Sequence, residues 1–143
     1  MSRKKSLQTI QTLAESNETL RLKVLTDKRQ ELATEEQRLV QLQQYCNEYQ
    51  AMTSKTDQGI GIHFIRGRRG FVEKLGTAID TQRKTVEQAR EQLDVHTAHW
   101  RDARTKALSL RKFTDRLAVE EQQRLARKEQ SELDEVGRLV VTR

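Results

Sequence analysis

No proline occurs in this chain of 143 residues. At average usage of roughly 5%, about seven are expected in a chain of this length. Inside a helix proline costs about 3 kcal/mol and glycine about 1 kcal/mol, so their placement decides where helices stop. Four of the six glycines (Gly59, Gly61, Gly67, Gly70) fall within twelve residues, and the other two are Gly76 and Gly137. One soft segment, 52–70, therefore separates two long stretches with almost no helix breakers. Apolar residues make up 34% of the chain and charged residues another 34%, against roughly 45–50% and about 25% in a typical domain. This balance argues against a compact enzyme with a sizeable core and for one domain of long helices with a narrow apolar seam.

Other classes fall quickly. No uninterrupted apolar run is longer than Leu139-Val140-Val141, far short of the roughly 20 residues of a transmembrane helix. The basic start (Arg3, Lys4, Lys5) turns polar at once, without the apolar core of a signal peptide. Cys46 stands alone, so no disulfide framework is expected and a reducing cytoplasm fits. Disorder is the rival reading for so polar a chain, and periodicity decides against it.

In the second stretch, alternating steps of three and four from Ile79 meet Gln82, Val86, Ala89, Leu93, His96, Trp100, Ala103, Ala107, Leu110, Thr114 and Leu117. Nine of these twelve positions are apolar, a seam long enough to predict a coiled coil. The first stretch is less regular. Leu7, Ile10, Leu13, Leu20 and Val24 form one stripe, and Leu25, Leu32, Leu39, Leu42, Cys46 and Tyr49 another. A one-residue slip between Val24 and Leu25 rotates the face by about 100°. Lys28 and Glu35 take seam positions in the second phase.

Together these patterns predict an all-α fold: a long antiparallel two-helix coiled-coil hairpin with the second helix overhanging. The expected boundaries are helix 1 at about 6–53, a Gly-rich loop at about 54–69 and helix 2 at about 70–138, a single domain over 1–143. With the turn near Ile62, facing residue numbers add to about 124, which sets Leu39 against Val86, Leu25 against Trp100 and Leu7 against Leu117. At 1.5 Å per residue the helices span about 70 Å and about 100 Å. From about Ala118 onward the second helix outruns its partner and carries Leu125, Leu133, Val136, Leu139 and Val140. Docking on a heteromeric partner, a parallel homodimer and a frayed tail are the three readings of that end.

Residues able to carry chemistry are few. His96 and His99 stand at i, i+3 near Asp94 and Asp102, a spacing that can share a metal; the plainer reading is a polar break in the seam. Cys46 is expected opposite about Ala78, away from both histidines, as a structural thiol. Gly59-Ile60-Gly61 lacks phosphate-loop spacing. No catalytic, cofactor or metal site is expected, and the protein is read as not an enzyme. Two basic clusters stand out: Arg66, Arg68 and Arg69, in a segment (54–70) of net charge +3, and Arg101, Arg104, Lys106, Arg111, Lys112 and Arg116, in a segment (101–116) of net charge +4. They read either as solvated faces or as contacts for an acidic protein, RNA or anionic lipid.

Several segments, in order, resemble the flagellar export protein FliJ family. Leu7-Gln8-Thr9-Ile10-Gln11-Thr12-Leu13-Ala14-Glu15 is similar to its opening L-x-T-L-x-x-L-A-E, and Tyr45-Cys46-Asn47-Glu48-Tyr49 to its Y-x-N-E-Y. Phe71, Leu75, Ala78 and Ile79 match F-x-x-x-L-x-x-A-I, Trp100-Arg101 a W-R pair, and Glu129, Leu133, Asp134 and Glu135 an E-x-x-x-L-D-E. The resemblance implies an antiparallel coiled-coil hairpin of the flagellar type III export apparatus, similar to the central stalk of rotary ATPases. The implied partners are the export ATPase hexamer, whose assembly the family promotes, the cytoplasmic part of the membrane export gate, and flagellar substrate chaperones, which it escorts. No nucleic acid and no transmembrane segment are expected. The implied place is the cytoplasm, at the inner face of the membrane by the flagellar basal body. Phe71, Leu75 and Ala78 fit the patch the family offers the gate; Gln82 continues that face, where some members carry histidine. Arg124, Leu125, Arg127 and Lys128 are the weaker candidates for the ATPase. The alternatives are the stalk protein of a virulence-type secretion system, a coiled-coil adaptor, and an RNA-binding helical hairpin read from Arg66-Gly67-Arg68-Arg69.

Overall fold

A computed structural model describes residues 2–55 and 61–141, which form two helices, α1 (Ser2–Lys55) and α2 (Ile62–Val141). The middle of the expected loop, with Gly59, lies outside the described residues. Among the described residues no strand is present, and no helix is long and apolar enough to cross a membrane.

α2 starts at Ile62, well before the expected start near 70, and takes in Gly67 and Gly70. The N–H groups of Phe64 and Ile65 donate to the Gly61 carbonyl at 3.1 and 3.4 Å, which places Gly61 as the residue that opens the helix. Glycine weakens a helix, but once nucleated each further residue adds a hydrogen bond, and no proline interrupts. Arg68 also holds this first part of α2 in place by donating to the Thr53 carbonyl of α1 at 3.1 Å. A Cβ built at Gly76 meets nothing within 4 Å. Gly76→Ala will therefore raise stability by about 0.5–1 kcal/mol, read as a higher thermal midpoint.

The chain forms two compact units, Met1–Leu20 with Arg101–Arg143, and Arg21–Trp100. In the second, α1 and α2 pair antiparallel: Lys28 meets Gln92, Glu35 meets Gln82, and Tyr49 meets Phe71. In the first, Gln11 meets Thr114. These pairs keep the expected register to within about one helical turn on each strand.

Each of the twelve α2 seam positions from Ile79 to Leu117 is buried or half-buried, as expected. The expected slip in α1 is absent. The covered positions run in one unbroken 3-4 repeat through Leu7, Gln11, Ala14, Glu18, Arg21, Leu25, Lys28, Leu32, Glu35, Leu39, Leu42, Cys46, Tyr49 and Thr53. Ile10, Leu13 and Leu20, which the sequence pattern places in the seam, are exposed. The physical reason is that α2 keeps a single seam phase, so α1 pairs along its whole length only in one phase, even where that phase is polar.

The cores of the two units differ. In Arg21–Trp100 the buried apolar residues are Leu25, Leu75, Ile79 and Val86. In the unit of the termini, among the described residues, they are Ala14, Ala103 and Ala107. Small residues let two helices approach closely, and large side chains are then left outside. Leu108, Phe113 and Val119 are exposed there beside Ile10, Leu13 and Leu20.

Candidate partner-binding surfaces

Near the start of α2, Phe71 sits between two tyrosines of α1. Its ring lies 4.6 Å from that of Tyr49, tilted at 57°, and 6.2 Å from that of Tyr45, edge-on at 78°. Such pairs contribute about 0.5–1.5 kcal/mol beyond the area they bury. Both tyrosines belong to the Y-x-N-E-Y element, so that motif has a structural role against Phe71. Leu75, the next candidate, is 8% exposed and part of the core. Ala78 is exposed, and Cys46, which the expected pairing sets opposite it, is half-buried. Gln82 is half-buried and donates from Nε2 to the Glu35 carboxylate at 2.6 Å and to its carbonyl at 3.0 Å. Phe71, Leu75, Ala78 and Gln82 thus do not form one open surface. Phe71, Leu75 and Gln82 are engaged with α1, and Ala78 alone of the four is open to solvent.

Several polar seam positions bond across the two helices, whereas Nδ1 of the seam residue His96 is buried without a partner among the described residues. Glu35 takes Gln82, Thr53 takes Arg68, and Thr114 donates to Gln11 at 2.8 Å. Lys28 reaches Gln92 and Glu31, both at 3.3 Å. A polar seam position specifies register at a cost in stability. Gln82→Ala will remove the cross-helix donor to the half-buried Glu35 carboxylate, leaving it only Arg38 of its own helix at 2.8 Å, and destabilise by about 1 kcal/mol. Joint replacement, Glu35→Leu with Gln82→Leu, will recover that loss in a thermal melt.

His96 and His99 meet edge-on with ring centres 5.7 Å apart. Among the described residues, no group of three or more His, Cys, Asp or Glu side chains is placed to hold a metal ion. The basic residues of α2 divide by face. At 100° per residue, Arg101, Lys112 and Arg116 lie on the side turned away from the seam, whereas Arg104, Lys106 and Arg111 flank it, and all six are exposed. Arg66 and Arg69 are exposed but stand on helix rather than in a loop, and Arg68 is engaged with Thr53.

In the unit of the termini, α1 covers α2 up to about Leu117. Every described residue from Ala118 to Val141 is exposed, including Leu125, Leu133, Val136, Leu139 and Val140. Arg124 is held by Glu121 of its own helix through two bonds, 2.7 and 3.2 Å. The Arg124 guanidinium, first by hydrogen bonding and then by charge, keeps the Glu121 carboxyl below its ordinary range, with Lys4 of α1 adding to the effect. A carboxyl whose folded value is depressed contributes above its unfolded value and loses that contribution as pH falls through the folded one. Acidification below the ordinary carboxylate range will therefore loosen this turn, read as lost helicity, and Glu121→Gln will remove that pH dependence. Arg127 lines a shallow groove with Gln130, Ser131, Asp134, Glu135 and Arg138, and Leu125 and Lys128 are exposed.

Two features here escape a reading of the sequence. One is the aromatic clasp of Tyr45 and Tyr49 on Phe71, foreshadowed only by the motif. The other is the outward apolar stripe at Ile10, Leu13 and Leu20, whose 3-4 spacing is visible but reads as seam.

Paired helices with a heptad seam interrupted by polar layers define a coiled-coil protein. A family model described as the flagellar FliJ protein matches residues 3–143, nearly the whole chain. The chain belongs to the flagellar FliJ family and is a component of the flagellar protein export apparatus. No curated protein matches it.

Proposed function

We propose that the chain acts as the stalk of the export apparatus: it binds and promotes assembly of the export ATPase hexamer, contacts the export gate and escorts substrate chaperones. It performs no covalent chemistry and works in the cytoplasm, at the inner face of the membrane by the basal body. The observation that carries this reading is the uncovered end of α2 beyond Leu117, with large apolar side chains open to solvent. An apolar helical end of this kind gains by docking. A single helical stalk cannot match six equivalent sites at once, so its contacts differ between subunits. Differential contact is what biases a ring among its nucleotide states.

Arg127, Lys128 and Leu125 are the side chains offered to the ATPase, with Arg124 engaged by Glu121 and acting beside them. Phe71, Leu75, Ala78 and Gln82 serve the gate in two ways. Ala78 offers an open position, while Leu75 and Gln82 shape the surface from beneath. The test is capture of both partners by the full chain. Ala78→Arg will lose the gate and keep the ATPase, because an exposed position changes contact without unfolding. Recovery of neither export protein by the intact chain would overturn the reading.

A further inference from the structure

We propose that the outward stripe of α1 at Ile10, Leu13, Asn17 and Leu20 is a self-association seam, pairing with the same stripe of a second copy in parallel and in register. Ile10 is 45%, Leu13 64% and Leu20 58% exposed, and Asn17 between them is exposed too. Their spacing repeats the 3-4 heptad step, and the phase runs on in sequence to Val24. Ile10, Asn17 and Val24 take a positions; Leu13 and Leu20 take d positions. β-Branched residues at a with leucine at d favour two parallel strands, and one asparagine at a specifies register and strand number.

The occupant follows from Asn17. In a parallel pair in register it meets its own copy, and each amide has a donor and an acceptor for the other. In an antiparallel pair it faces a leucine and stays unsatisfied, which is costly. From Ile10 to Leu20 the flanking g positions, Thr9 and Ser16, are small and uncharged and meet Ala14 and Arg21 at e, so no like charges oppose approach there; beyond Leu20, Lys23 against Lys28 ends the favourable stretch. Charged residues bound the stripe, with Arg3 in the heptad before it and Asp27 and Glu31 in the one after. The covered face, which includes Leu7, Ala14 and Gln11, is offset by one residue from this stripe, about 100° around the helix. α2 therefore leaves the stripe free. Twofold symmetry places the two α2 helices on opposite sides of the α1 pair, which keeps their basic faces apart. The stripe covers about two heptads, short of the three to four of a stable coiled coil, so the pair is weak and depends on concentration.

The test uses the full chain with Cys46→Ser. Asn17→Cys under a glutathione redox buffer will form a disulfide-linked dimer, because facing a positions bring the two chains within disulfide reach. Glu15→Cys, exposed but off the stripe, will give at least tenfold less. Sedimentation of the unmodified chain will show a dimer that grows with concentration, and Leu13→Glu with Leu20→Glu will weaken it at least tenfold with helicity unchanged. Asn17→Val will strengthen association and admit species larger than dimers. A monomer at all concentrations with no excess linkage in the Asn17→Cys chain would overturn the proposal. So would linkage only between Leu13→Cys and Leu20→Cys chains, which means antiparallel pairing. So would protection of the Asn17→Cys thiol from a thiol reagent by a different protein alone, which assigns the stripe elsewhere.

Discussion

Leu25→Ala will destabilise the protein by about 2–5 kcal/mol. Leu25 is 1% exposed, the one large side chain so completely buried among the described residues. Its removal loses the transfer free energy of the deleted atoms and leaves a cavity that two rigid helices close only in part. In a two-helix layer, no second shell of side chains can collapse into the gap. The measurement is the thermal or urea midpoint by circular dichroism. Leu13→Ala, measured at dilution where the chain is monomeric, is the matched control: Leu13 is 64% exposed, and its truncation will change stability by no more than about 0.5 kcal/mol. The two leucines carry the same chemistry at neighbouring heptads, so the contrast isolates burial. Equal losses at both positions would mean that the α1 seam runs through the other phase.

On the proposed function, ending the chain after Ala118 will abolish stimulation of the export ATPase while leaving the melting of the remaining helices close to that of the full chain. The described residues removed are all exposed, so their loss takes away little of the packing that holds α1 to α2. Stimulation measured across a titration of intact and shortened chains decides the matter. Unchanged stimulation would overturn the reading that the overhanging end acts on the ATPase. The double change Phe71→Ala with Leu75→Ala is a poorer probe of the gate than Ala78→Arg. It strips Phe71 from between Tyr45 and Tyr49 and empties a core position, so lost binding would also report lost structure.

The difference between the units bears on how the protein meets its partners. Arg21–Trp100 is held by large apolar residues, with Gln82 and Glu35 setting register. In the unit of the termini the buried apolar residues among those described are alanines, with half-buried Leu7, Leu110 and Leu117 and the Gln11–Thr114 pair beside them. Burial of alanine contributes far less than burial of leucine, so that unit opens more readily. It also carries the uncovered apolar end. On the proposed function, such an apolar-faced segment suits exchange among partners, whereas the unit bearing Leu25 is the better packed scaffold.

Much of this was legible in the residues themselves. The absence of proline and the gathering of glycine set the number of helices. The unbroken 3-4 repeat from Ile79 to Leu117 identified the covered face of α2, because a heptad stripe of that length has one way to hide. The overhang followed from unequal helix lengths. The ordered motifs pointed to the family. Tertiary structure decided the rest. α1 contains two heptad phases one residue apart, and local periodicity cannot choose between them. The choice belongs to α2, whose single phase forces Gln11, Glu18 and Arg21 inward and turns Ile10, Leu13 and Leu20 out. The start of α2 at Ile62 was equally hidden, because the cost of Gly67 and Gly70 is local while the gain from Arg68 bonding to Thr53 and Phe71 packing on Tyr49 is not. Leu75 and Ala78 stand on the same stripe in sequence. Only the position of α1 against α2 makes one a core residue and leaves the other at the surface.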